Sequence, residues 1–447
     1  MKTFVKNFVL GCSFVIAATS VLSAQQPTIN NFRPYDKSGI GVFESPKDKN
    51  APKYDGIKVR FGAGFTQQYQ LLNHSNNPFD SSVYKLKPIT GGFGTAMANL
   101  NMDVQLEQGI RLNVTTYLST RHHNEAWVKG GFIQFDDLSF LGVSALDDIM
   151  KYLTIRVGHM EINYGDAHFR RSDGGGTLQN PFMENYIVDG YATEIGADIL
   201  FRSSGFLAMA GVTNGAIKGS VDAVNQTVVD KDTAKAPAFL FKLGYDDKIG
   251  DNMRLRVTGS GYMISSAQSN TLFGGDRSGS NYWMVMEPTS ASYTANAFSG
   301  RVNPGMSDKV TAFQINGFLK VSGLEIFGTY ETATGRGPND KDPTDLTGKT
   351  ALDRSFNQIA ADALYRFGAK ENVYLGARYN MVKGKMLASN ATEQSINRIA
   401  IAAGWFVTDN IVIKGEYVTQ SYKDYPLKHI LADGKFDGVV FEAAVGF

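Results

Sequence analysis

From Ile57 onward, apolar and polar residues alternate with a period of two. Ile57, Val59, Phe61, Ala63, Phe65, Tyr69 and Leu71 share one face, opposite Lys58, Arg60, Thr66, Gln68 and Gln70. Ala96, Ala98, Leu100, Met102, Val104 and Leu106 repeat the pattern against Asn99, Asn101, Asp103, Gln105 and Glu107; after the turn Gln108-Gly109, Ile110, Leu112, Val114, Thr116 and Leu118 follow opposite Arg111, Asn113, Thr115, Tyr117 and Ser119. Alternation places successive side chains on opposite faces of a strand. Strands in soluble sheets average about five or six residues, whereas a strand crossing a bilayer at a tilt needs about 9 to 11 with one face apolar throughout. Sixteen such segments are predicted, at 57–72, 95–108, 110–121, 126–135, 152–163, 192–202, 205–213, 238–246, 253–266, 308–321, 324–334, 354–367, 372–384, 396–407, 411–423 and 435–447. The fold expected is all-β: a transmembrane antiparallel β-barrel filling 57–447, preceded by a polar periplasmic arm over 25–56 that either stays outside or partly plugs the opening.

The connectors test this independently, because outer-membrane barrels alternate short inner turns with long outer loops. Connectors 73–94, 164–191, 214–237, 267–307, 335–353, 385–395 and 424–434 are long, and those between them, such as Ser203-Ser204 and Ser322-Gly323, are short. Two break the rule. The outer connector 122–125 is short, and the inner connector 136–151 carries Leu138, Leu141, Ala145, Leu146 and Ile149 at the spacing of a short amphipathic helix. Within 267–307, the stretches 282–287 and 293–298 offer an extra hairpin and eighteen strands; the reading adopted is a long folded surface loop.

The ends and the composition narrow the class. Lys2 and Lys6, an apolar stretch from Phe8 to Ala18 too short to span a bilayer, and Leu22-Ser23-Ala24 before Gln25 have the layout of a secretory signal peptide over 1–24. Cys12 lies inside it, so the expected mature chain has neither disulfides nor thiolate metal sites; too few apolar residues precede Cys12 for a lipoprotein signal. Lys+Arg of 44 against Asp+Glu of 43 argues against a nucleic-acid binder. Gly 47, Tyr 20 and Phe 29 beside Pro 13 suit a large β protein. The mean hydropathy of -0.19 is that of a soluble chain, as expected when one apolar and one polar face are averaged.

The segment 435–447 sets Val439, Phe441, Ala443, Val445 and Phe447 on one face. It resembles the C-terminal signature by which barrel assembly machinery recognises outer-membrane proteins, with Phe441, Val445 and Phe447 as its carriers. The chain is similar in layout to Gram-negative outer-membrane porins of the phosphate-selective and general-diffusion types. The likeness is most specific from Arg156-Val157-Gly158 through Tyr164-Gly165 and at Asn180-Pro181-Phe182-Met183-Glu184-Asn185. No ladder of Arg and Lys stands out, against phosphate preference. The resemblance implies a third outer loop, here 164–191, folded into the lumen to narrow it, outer-membrane lipid around the barrel, and a homotrimer.

On this parity the inward basic residues are Lys58, Arg60, Arg111, Arg156, Arg254, Arg256, Arg366, Arg378, Arg398 and Lys414, and the inward acids Asp103, Glu107, Glu194, Asp198, Asp362, Glu416 and Glu442. Unpaired, these would give a mildly anion-selective pore; paired across strands, they are a structural wall. Asp166, Arg170, Arg171, Asp173 and Glu184 in the third loop are the candidate constriction, with the acids set against the wall arginines. Trp127, Tyr69, Tyr330, Tyr379, Trp405, Tyr417 and Phe447 are candidate interface aromatics. Other motifs fail: Gly348-Lys349-Thr350 lacks the first phosphate-loop glycine, having Pro343 there; His122, His123 and Glu125 read as a tight loop; Asp340, Asp342 and Asp345 break calcium-loop spacing at Thr344. No cofactor, metal or catalytic group is expected. The function expected is passive diffusion of small hydrophilic solutes or anions. Alternatives are a fatty-acid-type transport barrel, an outer-membrane hydrolase, and an accessory barrel of a secretion or surface-assembly complex.

Overall fold

The computed structural model describes residues 26–48, 53–119, 126–172, 176–227, 229, 231, 233–267, 269–388 and 392–447. The signal-peptide reading, His122, His123, Glu125 and Asp173 lie outside the described residues. Sixteen long strands follow one another: β1 Lys58–Ser75, β2 Met97–Glu107, β3 Ile110–Leu118, β4 Trp127–Phe135, β5 Leu153–Glu161, β6 Thr193–Ser203, β7 Phe206–Thr213, β8 Ala238–Ile249, β9 Met253–Ile264, β10 Lys309–Val321, β11 Leu324–Arg336, β12 Arg354–Phe367, β13 Val373–Lys385, β14 Gln394–Thr408, β15 Ile411–Lys423 and β16 Lys435–Gly446. Each pairs antiparallel with the next, and β16 returns to β1 through Phe65↔Val445 and Tyr69↔Phe441. Ala63 and Phe447 exchange backbone hydrogen bonds of 2.9 and 3.1 Å at the seam. Closure leaves no unpaired edge, the condition for a sheet to sit in lipid. A two-residue strand, Gly92–Phe93, pads the outer half of β1.

The outward residues are those the alternation assigned. Phe61, Phe65, Leu100, Ile315, Tyr330, Ile359, Tyr379, Ile401, Trp405, Tyr417, Phe441 and Phe447 are all exposed on the outer surface of the closed sheet. An apolar belt this continuous is stable only against hydrocarbon, and no helix among the described residues is long and apolar enough to cross a membrane. The inner connector after β4 carries a helix, α1 Ser144–Met150, as its apolar spacing indicates. Neither 282–287 nor 293–298 is a strand, so the count is sixteen.

What fills the barrel is less ordinary. Three segments enter the lumen: the arm 26–48, the third outer loop 162–192, and the fifth outer loop around 267–307. The last corrects the surface-loop reading. Tyr282, Val285 and Met286 join a buried cluster with Phe182, Met183, Ile187 and Val188 of the third loop and Val382, Ile396, Val412, Val418, Phe436 and Val440 of the wall. The physical reason is that β13–β16 turn valine, isoleucine and phenylalanine inward, and that apolar wall must be covered. By contrast β2 and β3 turn Asn99, Asn101, Asp103, Gln105, Arg111, Asn113 and Thr115 inward, a surface that remains stable in water.

Candidate functional site

The barrel register decides the fate of most inward charges. Residues directly opposite on neighbouring strands lie close enough to interact, and the pairs Arg60↔Asp103, Arg156↔Asp198, Arg256↔Asp246, Arg378↔Asp362 and Lys414↔Glu442 are all in register. Arg60 binds Asp103 at 2.5 Å, Arg156 Nε binds Asp198 at 3.0 Å, and Arg378 binds both Asp362 oxygens at 2.6 and 2.7 Å. Lys414 pairs with Glu442 and also donates to the Thr177 and Asn180 carbonyls of the third loop. Arg111 reaches Asp136 at 2.5 Å, Arg366 reaches Glu325 at 3.1 Å, and Arg398 donates to Gln420 and to the Asn185 and Gly300 carbonyls. The wall cations thus hold the wall and the inserted loops together.

The constriction residues are placed as follows. Asp166 and Glu184 are buried, at 0% and 1% exposure. Asp166 meets the wall arginine by direct contact: Arg256 donates to both its oxygens at 2.8 Å, Thr258 adds 2.7 Å and Lys242 3.0 Å. Burial alone would raise its pKa, but Lys242 and Arg256 hold it far below the carboxylate range. Glu184 pairs with Arg301 of the fifth loop at 2.7 Å. Arg170 binds Glu325 at 2.6 Å, and Arg171 binds both oxygens of Asp189 at 2.6 and 2.7 Å. Arm and loop share one anchor: Arg256 also donates to both Glu44 oxygens at 2.8 Å. Burial opposes the Glu44 charge, yet Arg256 and Lys242 outweigh it and hold its pKa at about 2.

Space remains beside β2–β6. An inner cavity of about 240 Å³ is bounded by the arm (Phe32 to Tyr35, Glu44), the amide-rich wall of β2 and β3, and the third loop (His168, Phe169). An outer vestibule of about 1200 Å³ lies under the loops around 214–236 and 266–277. Lys129, His159, Tyr191 and Thr193 line both, so the two spaces adjoin at these residues, and the arm bounds the inner one. At the junction, Lys129 and Arg171 lie over the Tyr191 ring at 5.6 and 3.7 Å, with Lys129 paired to Asp276 of the fifth loop.

Lys129 was not among the expected lumen residues. The register slips between Thr115 and Thr116 where β3 pairs with β4, so Lys129 and Gly130 both line the inner cavity. At Gly130 a Cβ would stand 2.6 Å from the His159 carbonyl oxygen, so the bulge requires glycine; Gly130-Gly131 within a strand was the available signal. Trp127 lines the vestibule under Arg277, whose guanidinium lies 5.7 Å from the ring, and is therefore not an interface aromatic. Glu44, Asp246, Lys242 and Glu325, also missed, owe their roles to tertiary placement.

No protein-family model matches the chain, and no curated protein sequence does. Among solved structures it is similar to the outer membrane channel DcaP of Acinetobacter baumannii, with 12% identity, 89% of this chain and 99% of that chain covered, and a TM-score of 0.52. An anion-selective porin from Comamonas acidovorans aligns at 9% identity over 88% of this chain and 100% of its own, with a TM-score of 0.50. Sixteen closed strands, the outward apolar belt and the inserted third loop define a porin-like β-barrel. The chain is a protein of the bacterial outer membrane.

Proposed function

We propose that the protein is a porin passing small hydrophilic solutes passively along an off-centre path through the two adjoining spaces, without catalysis. The observation that carries this is the shared lining of vestibule and inner cavity in a lumen otherwise packed. A lumen filled by two loops and an arm supports a restricted channel rather than a wide general-diffusion pore. The vestibule is lined by Lys129, Lys218, Lys235 and Arg277 against Asp222 and Asp276, which supports a mild anion preference at the entrance. A homotrimer belongs to the same proposal, on the porin layout alone, and chemical cross-linking in native membranes tests it.

Planar-bilayer recording of the purified full chain tests the channel. Small stepwise conductances are expected, with a reversal potential favouring the anion in a salt gradient. A silent protein, both whole and with residues 26–48 removed, would overturn the reading.

A further inference from the structure

Seven charged side chains line the inner cavity: Arg33, Glu44, Lys129, Arg156, Glu161, Arg171 and Asp198. Five have ion partners of opposite charge, namely Glu44 with Arg256, Lys129 with Asp276, Arg156 with Asp198, and Arg171 with Asp189. Arg33 and Glu161 do not, among the described residues. Arg33 spends Nε on the Val42 carbonyl at 3.0 Å and Nη2 on the Phe169 carbonyl and Gln179 Oε1 at 3.0 and 2.9 Å, and meets no carboxylate. Glu161 hydrogen-bonds only the His168 ring, and a third of its side chain, 35%, is exposed. Burial keeps the His168 imidazole below its usual pKa although Glu161 pulls the other way; the cations that act on Glu161 from a distance are Arg33 and Lys129, neither in contact with it.

The two charges stand at opposite ends of an aromatic platform. The Arg33 guanidinium lies 4.9 Å from the Phe169 ring centre, Phe169 lies 3.8 Å from the His168 ring, and His168 holds Glu161. They are near enough to stabilise one another electrostatically, yet form no ion pair. An incompletely paired charge in a confined, partly desolvated space is costly, and here one of each sign faces the same volume. That volume falls below the roughly 300 to 1,000 Å³ of pockets for drug-sized molecules, so its occupant is small.

We infer that the inner cavity is a binding site for a small zwitterionic solute, whose anionic group engages Arg33, whose ammonium group engages Glu161, and whose apolar middle lies against Phe169 and His168. This rests on the channel reading and names the solute class for it. Selection is by charge separation within the solute, because a monoanion leaves Glu161 repelling it and a monocation leaves Arg33 doing so.

Swelling of proteoliposomes containing the full-length protein tests the inference with glutamine and arabinose, which are of similar size. Glutamine is expected to enter several-fold faster than arabinose, and Glu161→Gln and Arg33→Gln are each expected to bring the ratio towards one. Arabinose entry in the same variant reports that the barrel has folded. If arabinose enters wild-type vesicles and glutamine gains nothing, or if both variants keep the ratio, the zwitterion site is refuted while the channel stands. If neither solute enters, the channel reading itself fails.

Discussion

The two halves of the lumen wall treat charge in opposite ways. Along β9–β16, inward charges are buried in networks that clamp the third and fifth loops, and apolar residues are interspersed with them on β12–β16: Phe356, Ala360, Val382, Ile396, Val412, Val418 and Val440. Along β2–β6 the inward face is amides, hydroxyls and in-register ion pairs bordering open space. The same alternating strand serves both, so burial behind the wall, and not the presence of arginine, separates a structural cation from one that solutes meet.

The largest expected effect comes from removing the arm. Deleting residues 26–48 takes away the cap of the inner cavity and should raise single-channel conductance several-fold; an unchanged conductance would mean that ions bypass the arm.

Next in size is the packed half. Arg256→Ala leaves the buried Asp166 and Glu44 to share Lys242, and breaking a buried pair costs about 3–5 kcal/mol. Urea unfolding followed by the mobility shift of heated and unheated samples on gels should show that loss, whereas Arg156→Gln, with Asp198 beside open space, should lose less stability and alter selectivity more. If Arg256→Ala is the more stable of the two, the division of the wall fails.

Acidification sharpens the same contrast. The Glu44 pKa is about 2 in the docked arm against an ordinary 4.5, so the docked form binds its proton less readily than the free form. Its contribution is therefore complete above about pH 4.5 and declines as pH falls towards 2. Conductance should rise over that window in the intact protein and stay level when 26–48 are absent.

The smallest effect expected is at the Asp148–Lys151 pair, which is 79% and 63% exposed. Asp148→Asn should leave the unfolding midpoint and the conductance unchanged, because an exposed pair is screened by water and contributes little.

Much of this was legible because lipid imposes a period of two on every strand. The strands 354–367 and 411–423 begin and end where the alternation does, and the inward parity of Arg60, Arg156 and Lys414 followed from it. The contrast between the two wall halves was also present, as asparagine and threonine at 99, 101, 113 and 115 against valine at 382, 412 and 418. What escaped was contact at long range. Nothing local to Glu44 marks a partner 212 residues away, and 267–307 carries no periodicity to say which side of a barrel it occupies. Lys129 escaped because a single bulge inverts the parity on which the rest depended.

The arm has one further consequence, for the order in which the molecule assembles. It precedes every strand in the chain, yet Lys37 donates to the β12–β13 and β14–β15 turns, its backbone nitrogen to the Asp409 carbonyl at 2.9 Å and its side chain to the Lys370 carbonyl at 2.6 Å. Segments made first must therefore wait for segments made late, across a separation of more than 300 residues whose closure is entropically slow. Docking of 26–48 is then the last step of maturation, and a barrel inserted into the membrane but not yet fully zipped is, for that interval, a leakier one.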